Sequence, residues 1–305
     1  MSHAPKLVVT ALDARVRPVQ LRLPFRFGAI TLTACPQLFV RVSLDDGTEG
    51  FAAEMMVPKW FDKRAALTPR DNVEHLAQAI EMTAAAYVGD APATAFGLYW
   101  RHRQALASAA EDAGLTGLSG SFGQAVIDRA VLDAMCRAHG VSFFEAARDN
   151  LIGIDAVDAL PGWDWSAWLA SLQPLKQIEA RHTVGMLDEL DTVRHGDDGL
   201  PISLRAVIRR YGQRSFKIKL GGDPRTDLSR LRAVLAVLDS ELGDFRYTLD
   251  GNEQYADATA LDELLDGLAP LQRPLYIEQP VPRELSFATA LPADRIAPFL
   301  MDEAD

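Results

Sequence analysis

The chain has 305 residues, of which 48% are hydrophobic and 24% charged, a composition typical of a soluble globular protein with room for two domains. Its 31 Lys and Arg against 42 Asp and Glu give a formal net charge of −11, which argues against nucleic-acid binding because phosphate contacts need a basic surface. The two cysteines make no disulfide framework, and the sequence shows neither a signal-peptide pattern nor an apolar run of the ~18 residues that span a bilayer. We therefore expect a cytoplasmic protein that binds neither nucleic acid nor membranes.

The first 120 residues place strands before helices, which is the order of an α+β domain. Alternating and β-branched stretches predict an antiparallel meander with strands over residues 7–23, 38–44 and 50–54. Apolar residues at helical spacing predict helices over residues 68–89, 96–110 and 121–140, with Ser121 as the cap of the third. We assign residues 1–120 to an α+β domain and residues 121–177 to a linking helix and connector.

From residue 178 to residue 305 the pattern changes to strands that alternate with helices. The predicted strands cover residues 178–184, 215–220, 245–249, 275–277 and 297–301. The predicted helices between them include residues 204–211, 258–268 and 283–291. Repeated βα units favour a parallel sheet, either open or closed into a barrel.

Acidic residues follow three successive predicted strands of this second region. Asp250 and Glu278 each follow a strand, and Asp302 with Glu303 follows the next, at separations of 28 and 24 residues. A closed (β/α)8 barrel uses about 31 residues per unit, so the spacing suits one acid per unit at the C-terminal mouth, where the active sites of that fold lie. A single acid after a strand is usually a helix cap or a solvated loop residue. Three carboxylates that converge on one point supply hard oxygen ligands, which suit Mg²⁺.

One unit earlier, two lysines share a face of a predicted strand. Side chains alternate along a strand, so Lys217 and Lys219 point the same way. If the two lysines stood alone in the sequence, the simplest explanation would be an edge strand with both side chains in solvent. Because the acids follow the neighbouring strands, we favour a lysine pair that faces into the sheet's interior side. Burial and the like charge of Lys217 would then lower the pKa of Lys219. A lysine tuned in this way can take a proton from carbon.

Several segments combine these residues into longer motifs. They are a Lys-x-Lys strand with the turn after it (216–224), Asp-x-Asn (250–252), Glu-Gln-Pro (278–280), Asp-Glu (302–303), a helix (125–141) and a hairpin (40–50). In these segments the chain resembles the enolase superfamily, in its mandelate racemase and muconate lactonizing branch. Each motif alone is a weak signal, whereas four of them in order at unit spacing are a strong one.

The resemblance implies an α+β capping domain followed by a TIM-like (β/α)8 barrel that is incomplete. Residues 178–305 would hold its first five strands, so we expect a C-terminally truncated chain that is a homo-oligomer when full length. Strands six to eight, where relatives of this family carry the second acid or base, would lie outside the sequence.

The resemblance also implies a reaction, which is Mg²⁺-dependent removal of the proton α to the carboxylate of a small substrate. Racemisation, epimerisation, cycloisomerisation or dehydration would follow from the enediolate. Lys219 would be the base and Lys217 would help the metal to stabilise the enediolate. The implied metal ligands are Asp250, Glu278 and Asp302, with Glu303 as the alternative third ligand and Asn252 orienting Asp250.

Two further residues are candidates for substrate contact. Arg26 lies in the long loop over residues 24–30, which the resemblance makes a specificity loop, although a surface role is an alternative. His182 ends the first barrel strand, where a structural histidine is an equal alternative.

Two rival functions stay open. The first is another metal-dependent TIM-barrel enzyme, a lyase or hydrolase, which the lysine pair disfavours. The second is a non-catalytic homologue that binds a small acid, which the intact Lys219, Asp250 and Glu278 disfavour.

Overall fold

The structure, a computed structural model, describes residues 4–154, 162–268, 271, 273–288 and 297–304. The chain divides into two compact units, Met1–Gln20 with Ala34–Lys176 and Leu21–Thr33 with Gln177–Asp305. The second unit therefore includes a segment from the first long hairpin as well as the later half of the chain. No helix in the described ranges is long and apolar enough to cross a membrane.

The first sheet is the predicted meander, but its first two strands are longer than expected and leave only residues 28–29 of the predicted loop over 24–30 between them. Its strands are β1 (Val9–Phe27), β2 (Ile30–Leu44) and β3 (Glu49–Met55), in the order β1-β2-β3 with β2 and β3 antiparallel. The helices that follow are α1 (Pro69–Tyr87), α2 (Ala95–Asp112), α3 (Gly117–His139), α4 (Phe143–Arg148) and α5 (Trp165–Ala170). The last two are short, and their few residues give too little periodicity to predict.

The third helix begins earlier than predicted, so the assignment of Ser121 as its cap is wrong. Thr116 is the N-cap, and its side chain accepts a hydrogen bond from the Ser119 N–H. The glycines in the first turn obscured this start. A glycine further along α3 has a packing reason, because a Cβ on Gly123 would lie 2.0 Å from the carbonyl oxygen of Ala79 on α1. Only glycine allows so close an approach.

The second unit contains a five-stranded parallel sheet. Its strands are β4 (Arg181–Val184), β5 (Ser215–Lys219), β6 (Arg246–Asp250), β7 (Ile277–Glu278) and β8 (Phe299–Leu300), in the order β4-β5-β6-β7-β8. Its helices are α6 (Leu204–Tyr211), α7 (Pro224–Glu241) and α8 (Ala258–Leu268). Parallel strands in chain order with helices between them are the pattern of a (β/α) barrel. The predicted α+β domain followed by an incomplete barrel is confirmed.

Two predicted elements of this unit differ from the structure. The first barrel strand begins at Arg181 rather than residue 178, and Ile178 is 79% exposed. The helix predicted over residues 283–291 is a single 3-10 turn at Arg283–Leu285, and residues 289–296 lie outside the described residues. The turn begins at the predicted residue, directly after Pro282.

A polar chain crosses the interface between α1 and α3 in the first unit. The Gln124 Nε2 amide donates to Tyr87 Oη at 2.9 Å, and the Tyr87 hydroxyl donates to Asp128 Oδ1 at 2.8 Å. Burial raises the pKa of Asp128 to about 7, against which the Tyr87 hydrogen bond acts. Between about pH 4 and pH 7 the carboxyl of Asp128 is therefore protonated in the folded protein and ionised in the unfolded chain.

We expect Asp128→Asn to stabilise the protein above pH 7, because an amide keeps the acceptor for Tyr87 and removes the buried charge. In the wild type, the free energy of unfolding falls as the pH rises from about 4 to 7, because the buried carboxyl of Asp128 then has to lose its proton. Since Asp128 keeps partial contact with solvent, the gain at pH 8 should be about 1–2 kcal/mol. Urea unfolding at pH 4 and pH 8 measures the difference. Glu74→Gln, which alters an exposed acid of α1, should keep the wild-type pH dependence.

Candidate active site

Strand register brings the lysines and acids of the second sheet to one level. On β5, Phe216 and Ile218 belong to the hydrophobic core with helix residues, so Lys217 and Lys219 occupy the opposite face. Lys219 pairs in register with Asp250 on β6, which in turn pairs with Glu278 on β7. The four polar side chains therefore meet at the carboxyl ends of three neighbouring strands.

The Lys217 ammonium lies between two buried carboxylates. Its Nζ is 2.6 Å from Asp250 Oδ2 and 2.6 Å from Glu278 Oε1. The side chain of Lys217 is 13% exposed, and those of Asp250 and Glu278 are 0% and 7% exposed. Burial acts to lower the pKa of Lys217, but the two carboxylates outweigh it and hold the pKa above its ordinary value. Lys217 therefore stays charged.

Lys219 has the opposite tendency, in the direction expected from the sequence. Its Nζ donates to Asp250 Oδ2 at 2.5 Å and to Asn252 Oδ1 at 2.8 Å, and it lies 5.5 Å from the centre of the Phe27 ring. Burial lowers the pKa of Lys219; Asp250 opposes this shift, and the charge of Lys217 adds to it. Two lysines on one strand thus have pKa values displaced in opposite directions, which is how a fold separates a fixed charge from an acid or base.

Asn252 connects the remaining acids to this pair. Its backbone N–H donates to Asp250 Oδ1 at 2.9 Å, and its Nδ2 donates to Glu303 Oε1 at 3.3 Å. Glu303 is 3% exposed and Asp302 is partly buried. Burial, followed by the negative charges of Glu303 and Glu278, raises the pKa of Asp302 to about 6. The carboxyl of Asp302 therefore lies close to other negative charge.

The charges of this group favour a divalent cation. Four carboxylates and two ammonium groups carry a formal charge of −2, and the charges of Glu303 and Glu278 add to burial in raising the pKa of Asp302. In the described part of the chain no three His, Cys, Asp or Glu side chains are arranged to hold a metal as they stand. The Lys217 ammonium lies between Asp250 and Glu278. The donor set is all oxygen, which fits Mg²⁺.

The two candidate substrate residues make none of the contacts described above. Arg26 is exposed, and its neighbour Phe27 is 5% exposed and faces Lys219. His182 pairs in register with Phe216, and their ring centres are 6.4 Å apart, so it lies on the opposite face of the sheet from the lysines. Burial lowers the pKa of His182, which favours its neutral form. Alternation along the strand, together with the register of β4 against β5, would have placed His182 on the face away from the lysines.

Parts of the chain are similar to known proteins. Residues 202–303 match the family described as enolase C-terminal domain-like. A hydrophobic dipeptide epimerase of Citrifermentans bemidjiense is 29% identical over 167 residues, which is 53% of this chain and 35% of that protein. The chain thus matches about a third of the length of this curated relative.

Two solved structures share the fold. One is a mandelate racemase/muconate lactonizing protein from Herpetosiphon aurantiacus, with a TM-score of 0.63 and 21% identity, covering 98% of this chain and 68% of that one. The other is an enolase from Bradyrhizobium complexed with magnesium and mandelic acid, with a TM-score of 0.60, 21% identity and the same coverage.

The parallel βα sheet with lysines and acids at its carboxyl edge is the architecture of an α/β barrel, a fold whose active sites lie at that edge. Within this sheet region, residues 202–303 are similar to the enolase C-terminal domain-like family, and the two solved structures share the fold of the chain.

Removing the central ammonium should destabilise the protein. Lys217→Met leaves Asp250 and Glu278 buried without their shared cation, which for buried pairs costs about 3–5 kcal/mol. Urea unfolding in the presence of a chelator measures the loss. The double variant Lys217→Met with Glu278→Gln removes one of the stranded charges and should recover part of the stability. Equal losses in the single and double variants would contradict the pairing.

Proposed function

We propose that the protein abstracts the proton α to the carboxylate of a small substrate, with Lys219 as the base and Mg²⁺ as the cofactor. The observation that supports this most directly is the opposite displacement of the pKa values of Lys217 and Lys219, two residues apart on β5. A base of this kind must lose its proton at working pH, whereas an electrostatic stabiliser must keep its charge.

The residues divide the work as follows. Asp250, Glu278 and Asp302 would hold the metal, with Glu303 as the alternative to Asp302. Bound there, Mg²⁺ would act as a Lewis acid on the carboxylate oxygens of the substrate. Lys217, which keeps its charge, would face the developing enediolate. Asn252 holds Asp250 through its backbone N–H and accepts a hydrogen bond from Lys219, so it orients both groups.

Proton transfer at Lys219 requires that its neutral amine face the substrate. The Phe27 ring centre lies 5.5 Å from this amine, in the buried surroundings that lower the pKa of Lys219. The amine takes the α-proton, and the electron pair of the C–H bond moves into the enediolate. Return of a proton to either face would give racemisation or epimerisation, and loss of a leaving group or ring closure would give the other outcomes.

The name of the curated relative favours epimerisation as the first outcome to test. That relative is called a hydrophobic dipeptide epimerase, and the apolar Phe27 next to Lys219 suits a substrate with an apolar side chain. Cytoplasmic location, a homo-oligomeric full-length protein and the domain limits at residues 120 and 177 belong to this proposal as well.

Solvent deuterium should enter the α-carbon of a substrate through Lys219. In the full-length protein with Mg²⁺, we expect exchange into apolar dipeptides or mandelate-like acids, and Lys219→Ala should slow it by at least about 10²-fold on one face. NMR or mass spectrometry of the recovered substrate measures the exchange. Lys6→Ala, which removes an exposed lysine of the first unit, serves as the control, and exchange that survives Lys219→Ala would exclude Lys219 as the base.

Metal binding gives an independent test of the ligand assignment. Calorimetry should detect Mg²⁺ binding that Glu278→Gln weakens by about tenfold or more, since even residues behind the ligands change affinity by 10–100-fold. Glu253→Gln alters a nearby buried acid that pairs with Arg283 and should change the affinity less. An affinity that Glu278→Gln leaves unchanged would remove Glu278 from the ligand set.

A further inference from the structure

Gln279 follows Glu278 at the end of β7, and the proposed reaction gives it no role. Its side chain is fully buried. The carbonyl Oε1 accepts from the backbone N–H groups of Asp302, at 3.1 Å, and Ala304, at 3.2 Å. The amide Nε2 donates to the carbonyl oxygen of Val281 at 2.9 Å and to Ser286 Oγ at 2.7 Å.

These four hydrogen bonds match the full capacity of a glutamine amide. Such an amide has two N–H donors and one carbonyl oxygen with two lone pairs. The partners of Oε1 are both donors, and Val281 O can only accept, so the orientation of the amide is determined by its neighbours. A methionine would keep the length of the side chain and lose all four bonds. A glutamate would keep the acceptor and lose the amide donors.

The backbone of Gln279 is held as firmly as its side chain. Its N–H donates to the carbonyl oxygen of Leu300 at 2.9 Å, and its own carbonyl accepts from the Glu253 N–H at 2.8 Å. Its φ of +34° is a left-handed value that residues with a Cβ adopt rarely. Gln279 thus joins the loop after β6, the end of β7 and the segment after β8.

We propose that Gln279 is a positioning residue that fixes the backbone of residues 302–304 and thereby aims the carboxyls of Asp302 and Glu303 at the lysine site. The inference rests on the proposed function, which gives these carboxyls their task. It follows from geometry, because the residues whose N–H groups Gln279 holds are Asp302 itself and the neighbour of Glu303. Glu303 in turn reaches Asn252 at the centre of the site.

Hydrogen exchange of the Asp302 and Ala304 amides in the full-length metal-free protein tests the restraint. We expect Gln279→Met to speed exchange of these two amides at least tenfold. Gln279→Glu, which keeps the acceptor, should hold exchange within about threefold of wild type. Gln124→Met removes a buried glutamine amide in the first unit and should leave both amides unchanged. Unchanged exchange in Gln279→Met, or equally fast exchange in Gln279→Glu, overturns the proposal.

Mg²⁺ affinity then separates this proposal from the function on which it rests. We expect Gln279→Met to weaken Mg²⁺ binding about tenfold, Gln279→Glu to restore part of the loss, and Gln124→Met to have no effect. If Glu278→Gln weakens binding and Gln279→Met does not, the positioning role is wrong and the ligand assignment stands. If Glu278→Gln has no effect, the proposed function fails, while the exchange experiment still decides whether Gln279 restrains the segment.

Discussion

The lysine ammonium between Asp250 and Glu278 is the interaction on which the second unit depends. Two buried carboxylates on neighbouring strands would repel each other, and Lys217 neutralises that repulsion at 2.6 Å from each. The arrangement is possible because parallel register sets β5, β6 and β7 at one level. The same charges that stabilise the folded site also set the protonation of its neighbours.

The pKa values of the two lysines move in opposite directions within one group of charges. At Lys217 the two carboxylates outweigh burial, whereas at Lys219 burial, to which the like charge of Lys217 adds, outweighs the opposing effect of Asp250. One strand with period-two alternation thus carries one lysine whose pKa is raised and one whose pKa is lowered. Such divergence is expected where a fold has to do acid–base chemistry near neutral pH.

Much of this could be predicted from the sequence. Alternation along residues 216–220 places Lys217 and Lys219 on one face, and the spacing of one acid per βα unit predicts that Asp250 and Glu278 follow neighbouring strands. Both are local patterns, and the parallel sheet in chain order converts them into proximity. The start of α3 differs from the prediction because Gly117 and Gly120, in its first turn, look like helix breakers in a sequence.

What the sequence could not predict depends on contacts between distant segments. Phe27 belongs to a hairpin far upstream, and nothing near it in the chain indicates Lys219 as its neighbour. Periodicity indicates which face a lysine takes, but not that Lys217 would pair with both acids while Asn252 joins Lys219. The role of Gln279 could not be predicted either, because its hydrogen-bond partners come from three loops whose paths the sequence does not show.

The loops explain why the carboxyl ends of the strands carry the site. Asn252, Glu253 and Gln279 all have positive φ values, which side chains with a Cβ rarely adopt, and all three lie directly after β6 or β7. Such backbone is retained only where the surroundings enforce it. Here hydrogen bonds join the loops: the Glu253 N–H donates to the carbonyl of Gln279, and the Asn252 amide donates to Glu303. The strands therefore bring the acids to one level, and the strained, hydrogen-bonded loops aim them.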